Sequence, residues 1–265
     1  MKTGFIGAGN MASAIMEGLC SSACLAPQEL AVFDVDAKKA VALGDRYGIR
    51  VCPDVQTLAN SADCIVLAVK PNVIATVLSE ISGILREKQP LLLTIAAGKS
   101  LSFYADTLGF PVRMVRVMPN INASVLAAVS AYCGSDTATG DDLQFAEKFC
   151  ASFGTAIALP EKMFPIFGVI GGSAPAYAYL FIDALARAAV QQGMPRAQAQ
   201  QVAAQMVLGS AKMVLKSDAH PQELIDRVCS PGGTTIEGLL SLQKDGFEAA
   251  VANAVRAAAD KDKRL

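Results

Sequence analysis

The sequence predicts an α/β protein in two parts: an open, parallel sheet with crossover helices over residues 1–159, and an all-helical half over 160–265. Three observations carry this. Short β-rich runs alternate with helical stretches up to residue 159, the pattern then changes to Ala-, Gln- and Leu-rich segments with almost no β-branched runs, and the first run leads at once into a glycine loop that opens a helix. Alternation of strand and helix implies parallel βαβ units, because parallel neighbours need a crossover and a helix supplies it.

Taken in order, the expected strands are Thr3–Ile6, Leu30–Phe33, 49–51, 64–69, 91–96 and 112–117, with weaker candidates at 128–133 and 155–159. Beyond Pro160, apolar residues recur at helical spacing over 175–192, 197–216 and 247–261. Gly193-Met194-Pro195 supplies a glycine stop and a proline start between two of these helices, and Pro221 and Pro231 punctuate the remainder. The helices are nearly as apolar as a core on several faces. A segment of about 105 residues makes only a small core of its own, so the pattern points to burial against another copy of the chain.

A length of 265 residues accommodates two domains at roughly 100–200 residues each. With 52% hydrophobic and 18% charged residues the chain is too apolar for disorder, and a net charge of −1 lacks the basic excess that would mark nucleic acid or an anionic membrane as a partner. Glycine, proline and charge interrupt the apolar stretches before the roughly 20 residues a transmembrane helix needs, so no membrane span is expected. Seven cysteines without a C-x-x-C pair suit a reduced compartment. Met1-Lys2-Thr3 runs directly into an apolar strand, with no room for a signal peptide, and the expected location is the cytoplasm. The single histidine, His220, leaves no cluster for zinc, so no metal site is expected; Asp218-Ala219-His220-Pro221 reads as a turn before a helix.

The glycine loop is Gly7-Ala8-Gly9-Asn10-Met11-Ala12, a G-x-G-x-x-A pattern set between strand and helix. In that context it reads as a Rossmann-like dinucleotide site. Gly7 allows the tight turn, Gly9 lets the backbone approach a pyrophosphate, and Ala12 lets helix and strand pack closely, while the helix N-terminus faces the negative charge. The second strand ends at Asp34, where a carboxylate accepts hydrogen bonds from a ribose 2′-hydroxyl and favours NADH. Lys38 and Lys39 follow within about a turn and are placed to meet the 2′-phosphate of NADPH instead, and Asp34 is equally placed to cap the next helix. The nicotinamide is expected beyond the carboxyl ends of later strands, where Ala68-Val69-Lys70-Pro71, Ala96-Ala97-Gly98-Lys99 and Met118-Pro119-Asn120 fall. Lys70 either lies near the nicotinamide or substrate or is a solvated lysine at a helix start.

In the helical half, Ser230-Pro231-Gly232-Gly233-Thr234-Thr235-Ile236-Glu237 combines exposed glycine amides with a capping box of Thr234 and Glu237. Such a helix start suits a carboxylate, and alternatively is a well-capped helix without a ligand. Together, GAGNMA at 7–12, AVKP at 68–71, MPN at 118–120 and SPGGTT at 230–235 resemble pyrroline-5-carboxylate reductase, in order along nearly the whole chain. The family usually reads G-S-G-P-A-Y where this chain has Gly172-Ser173-Ala174-Pro175-Ala176-Tyr177, so an alanine stands for the second glycine.

The resemblance implies an NADH- or NADPH-dependent oxidoreductase that reduces 1-pyrroline-5-carboxylate to L-proline, with a C-terminal domain that builds a homodimer and often a decamer, a pentamer of such dimers. It implies Thr235 as the hydroxyl that hydrogen-bonds or protonates the ring nitrogen. Ser230, Gly232, Gly233 and Thr234 then hold the carboxylate, with Ser173 either at the site or capping its helix. A protonated imine already accepts hydride well, which suits a chain with almost no histidine. Cys229 adjoins this segment and reads as structural. The rivals are a β-hydroxyacid-dehydrogenase-like reductase, a non-catalytic dinucleotide sensor, and a reductase of a six-membered or sulphur-containing cyclic imine acid. The first needs a lysine or histidine in the first long C-terminal helix, where Phe181-Ile182-Asp183-Ala184 offers only an acid.

Overall fold

The computed structural model describes residues 1–264, and the chain divides into two compact units, Met1–Gly172 and Ser173–Arg264. In the first unit an eight-stranded sheet is built from β1 (Thr3–Ile6), β2 (Leu30–Phe33), β3 (Arg50–Val51), β4 (Cys64–Leu67), β5 (Leu91–Thr94), β6 (Met114–Met118), β7 (Ala128–Gly134) and β8 (Gly154–Ala158). Their order is β3-β2-β1-β4-β5-β6-β7-β8. The first six strands thus take the 3-2-1-4-5-6 order of doubly wound dinucleotide folds, with two strands added at the edge.

Every neighbouring pair is parallel except β6 and β7, which run antiparallel with Val117 opposite Tyr132. This corrects the expectation of parallel units throughout. Only the short 3-10 turn Ile121–Val125 links these two strands, and it is too short to carry the chain back for a parallel return.

Helices α1 (Asn10–Ser21), α2 (Ala37–Tyr47), α3 (Val55–Ser61), α4 (Ile74–Lys88), α5 (Leu101–Leu108) and α6 (Gly140–Ala151) cover both faces. The strands read as unbroken apolar runs because alternate residues feed two cores. Phe5, Val32, Val66 and Leu93 pack with Ile15, Met16 and Leu19 of α1 and Phe149 of α6. Ile6, Ile65, Leu67 and Leu92 pack with Leu58 of α3, Leu78 and Ile81 of α4 and Tyr104 of α5. Side chains cap α2 (Asp36), α3 (Asp54), α5 (Ser100) and α6 (Thr139).

The segment after Pro160, expected to open the helical half, packs with the sheet unit as far as Gly172. Arg116 on β6 pairs with Glu161 at 2.7 Å and lies over the Phe164 ring at 4.6 Å, which ties it there. From Phe164 the chain forms α7 (Phe164–Phe167), a π-helical turn (Gly168–Ser173) and α8 (Pro175–Gln191), followed by α9 (Arg196–Lys216), α10 (Pro221–Val228), α11 (Thr234–Lys244) and α12 (Phe247–Asp262). The glycines and Pro175 do not break this run, since the π turn carries the backbone through and Pro175 sits in a first turn, where it loses no hydrogen bond. Glu161–Gln191 is therefore long and apolar enough, by length and composition alone, to cross a membrane, contrary to the expectation that such stretches are cut short.

Within the second unit α8 and α9 pack around buried alanines 186, 199 and 203. Its large apolar side chains stay outside: Leu180 is 72% exposed and Leu215 85% exposed, with Val202, Met206, Met213 and Phe247 also exposed. A helix pair of this kind, with its large apolar side chains outside, has an apolar surface left to cover.

An ion pair buried on its acidic side joins the far end of the sheet to α6. Asp142, 1% exposed, accepts both nitrogens of the Arg113 fork, at 2.6 and 3.1 Å, and the Thr139 amide at 2.8 Å. Burial raises the Asp142 pKa, but the hydrogen bonds from Arg113 and Thr139 outweigh it and hold the carboxyl below its usual value. A depressed folded pKa gives stability that is complete above the unfolded value and is lost as the pH falls through the folded one. Asp142→Asn should therefore cost about 1–2 kcal/mol in urea unfolding at neutral pH, because Asp142 is buried while Arg113 stays 37% exposed and solvated. The gap to the wild type should close as the pH drops below about 4; a loss well under 1 kcal/mol would contradict this account of the pair.

Candidate active site

The first unit sets up its cleft where β2 and β4 lie on opposite sides of β1. Gly7, at φ +111°, leaves the end of β1 with its amide donating to Phe33 O at 2.8 Å, and a methyl group there would sit 2.5 Å from Ala68 O. Only glycine fits both the backbone angle and the approach. Ala8 and Ala12 are buried, so α1 packs directly on the sheet, with Met11 against the core and Asn10 exposed.

Gly9 faces open space, with nothing within 4 Å of a methyl group built on it. It is also the N-cap of α1, which has no side-chain cap and no acidic residue in its first turn. Open space over amides that no side chain claims fits a dinucleotide pyrophosphate.

At the end of β2, Asp34 Oδ2 accepts the Ala8 amide at 2.7 Å and Oδ1 accepts the Asp36 amide at 2.8 Å. The cap of α2 is Asp36, which accepts from Lys38 N, so Asp34 does not cap that helix. Beyond β4, Ala68 and Val69 are half-buried and Lys70 is exposed. Lys70 O accepts Val73 N in a turn through Pro71, and α4 begins only at Ile74; Lys70 is not at a helix start. After β5, Ala97 and Gly98 are exposed, with Gly98 at φ +74°.

The loop after β5 is held by a residue the sequence did not single out. Glu161 Oε1 accepts the Leu101 amide at 2.8 Å while pairing with Arg116, which is 8% exposed. An acid just after Pro160 carries no local pattern that would announce this, because both partners are distant in sequence. Asn120, expected beside the cofactor, is buried: its side-chain nitrogen donates to Gly171 O at 2.9 Å and its oxygen accepts Val129 N at 3.4 Å. Its side chain thus holds the π turn.

In the second unit, Gly233 N donates to Ser230 O at 3.0 Å across Pro231 and Gly232, and Gly232 has φ +67°. This is a turn with proline second and a positive-φ glycine third. The Ser230 hydroxyl fills the space that a side chain on Gly233 would need. The N-cap of α11 is Gly233, without a side-chain cap, which corrects the expected capping box. Thr234 is already the first helical residue, one place too far along to cap, so the amides that open α11 have no side-chain acceptor. Thr234 and Thr235 are exposed in the single chain.

Ser173 ends the π turn, and the residue before α8 is Ala174 in right-handed helical conformation, so Ser173 is not a cap. Ala174, at φ −67° in right-handed helical conformation, has a backbone angle that any residue adopts, so the angle here does not require glycine. His220, expected in a turn before a helix, stands at the start of α10 and caps it, its Nδ1 accepting Gln222 N at 3.2 Å. The seven cysteines are free thiols. Burial pushes six of them up, to about 11 at Cys133 and about 12 at Cys150, and also raises Cys20, Cys24, Cys52 and Cys64, so these are not thiolates at neutral pH.

Residues 161–265 match the family model described as pyrroline-5-carboxylate reductase dimerisation, and residues 2–98 match one described as NADP oxidoreductase, coenzyme F420-dependent. A pyrroline-5-carboxylate reductase of Escherichia coli is 44% identical over 265 residues, covering 100% of this chain and 98% of that protein. The chain belongs to the pyrroline-5-carboxylate reductase family.

The relative from Methanosarcina acetivorans, under the same name, is 41% identical over 100% of this chain and 97% of its own. Among solved structures, pyrroline-5-carboxylate reductase of Coxiella burnetii superposes with a TM-score of 0.95 at 32% identity, covering 99% of this chain and 97% of that one. The enzyme of Plasmodium falciparum, solved with NADP bound, gives 0.86 at 33% identity over 100% of this chain and 97% of its own.

Gly7 offers the sharpest test of the cleft in this pyrroline-5-carboxylate reductase family member. Gly7→Ala forces an alanine into a left-handed conformation against Ala68 O, at a strain of about 1–3 kcal/mol. Dinucleotide affinity by fluorescence titration should fall about tenfold or more, and unchanged affinity would remove the loop from the binding site.

Proposed function

We propose that this protein reduces the C=N bond of 1-pyrroline-5-carboxylate to give L-proline, with NADH or NADPH held at Gly7-Ala8-Gly9-Asn10-Met11-Ala12. The observation that carries the substrate assignment is the Ser230–Thr235 segment, where an uncapped helix start, a tight glycine turn and three hydroxyls converge in sequence and structure. Bound dinucleotide supplies the hydride that goes to the imine carbon. The protein's residues do the rest.

The amides of Gly233 and Thr234, with the Ser230 hydroxyl, hold the substrate carboxylate at the start of α11, where unclaimed N–H groups and the helix dipole favour an anion. Fixing the carboxylate fixes the ring, and orientation supplies much of the acceleration. The Thr235 hydroxyl hydrogen-bonds the ring nitrogen and relays the one proton that the amine product keeps there. A threonine is a weak acid, so water is the ultimate source of that proton. Ser173 is assigned to the substrate and Lys70 to the nicotinamide end, where Ala68, Val69, Pro71 and Ala97 provide the backbone; the exposure of Lys70 supports that assignment.

The exposed apolar faces of α8, α9 and α12 and the dimerisation model support self-association as a homodimer, and the family resemblance extends this to a decamer built of five dimers. The same surfaces make a partner copy, rather than lipid or nucleic acid, the occupant we assign. The protein is placed in the cytoplasm, where its free thiols stay reduced.

Purified protein given pyrroline-5-carboxylate should consume the reduced nicotinamide absorbance rapidly with at least one of the two dinucleotides. Dinucleotide binding without turnover would overturn the reductase reading. Thr235→Ala should lower kcat about 100-fold with dinucleotide Kd unchanged; unaltered turnover would remove Thr235 from the reaction. Sedimentation at micromolar concentration should show a dimer or larger, and a monomer would refute the assigned interface.

A further inference from the structure

The end of β2 bears on which dinucleotide the glycine loop takes. Asp34 is pinned between two segments by the Ala8 and Asp36 amides, at 2.7 and 2.8 Å, one on each carboxylate oxygen. A carboxylate offers about four acceptor directions, so each oxygen keeps one for a hydroxyl. Asp36, two residues on, accepts Lys38 N at 3.2 Å and pairs with Lys39 Nζ at 3.7 Å. Lys39, one of the two cations at the start of α2, therefore already faces a carboxylate of its own chain. Val35, between the two acids, is 93% exposed and offers an apolar surface in place of a donor for phosphate.

We propose that Asp34 makes this protein selective for NADH, its carboxylate accepting the adenosine ribose hydroxyls and, with Asp36, repelling the 2′-phosphate of NADPH. This rests on the glycine loop being the dinucleotide site, as proposed above. The bond to Ala8 couples the two functions of the carboxylate: the group that selects the ribose also fixes the loop that meets the pyrophosphate. A dianionic phosphate beside Asp34 meets a charge that cannot swing away without releasing both amides.

The test is calorimetric titration of the full-length protein with NADH and with NADPH, without imine, alongside initial rates with pyrroline-5-carboxylate. NADH should bind at least about tenfold more tightly than NADPH, with the margin narrowing in high salt. Asp34→Asn keeps an oxygen for the Ala8 amide and removes the charge, so it should shift the Kd ratio about tenfold toward NADPH. Asp34→Ser should shift it in the same direction. Equal or tighter binding of NADPH by the wild type would overturn the proposal, and so would an Asp34→Asn variant that weakens both dinucleotides equally, the signature of a purely structural side chain. Binding of neither would overturn it together with the loop assignment. Selective NADH binding without imine turnover would support it while striking the substrate assignment alone.

Discussion

At the mouth of the sheet the backbone of Gly7 lies against the Ala68 carbonyl, and the geometry of the dinucleotide end depends on that approach. The contact arises because β2 and β4 flank β1, so the chain leaving β1 must turn in the narrow gap between the loops that follow them. A residue with a side chain there is strained in φ and collides as well. Once the turn is made, the buried Ala12 brings α1 down onto the sheet and its first amides face open space at Gly9. Asp34 then ties the loop from the other side through Ala8. The loop is thus fixed by its backbone turn, the packing of Ala12 and the Asp34 carboxylate before any ligand arrives.

The second unit is organised on an opposite principle. Its fully buried side chains are alanines, while leucines, methionines and a phenylalanine face outward. Burying one such large side chain contributes roughly 1.5–3 kcal/mol, so most of the apolar stabilisation available to these helices is unrealised in the isolated chain. Folding of this half and association with a second copy are therefore one linked equilibrium, and apparent stability should follow protein concentration. The Ser230–Thr235 segment, which runs from the turn after α10 into the first residues of α11, inherits that dependence.

How far the sequence was legible follows from how local each determinant is. The strands, the glycine loop, the helical half and the proline-started helices rest on period, turn chemistry and spacing within a few residues, and they were readable. The cap of α11 was displaced by one residue, because Thr234 and Glu237 satisfy the capping pattern whichever of Gly233 or Thr234 begins the helix. The antiparallel return of β7 depended on recognising that 121–125 is too short for a crossover. Arg116 with Glu161, Arg113 with Asp142 and Asn120 with Gly171 join residues 29 to 51 positions apart, and no local pattern connects such partners. The residue identities at the Ser230–Thr235 turn were legible only through their resemblance to a family, since a capped helix and a carboxylate site look alike in one sequence.

The π turn at Gly168–Ser173 holds one more residue than an α-helical path would need, and Asn120 secures it through Gly171 O. Removing a single residue from that turn would let the helix close into regular α geometry. The Gly171 carbonyl would then turn away from the Asn120 side chain, so a deletion in the turn would be felt on the sheet side as a buried amide left without its acceptor.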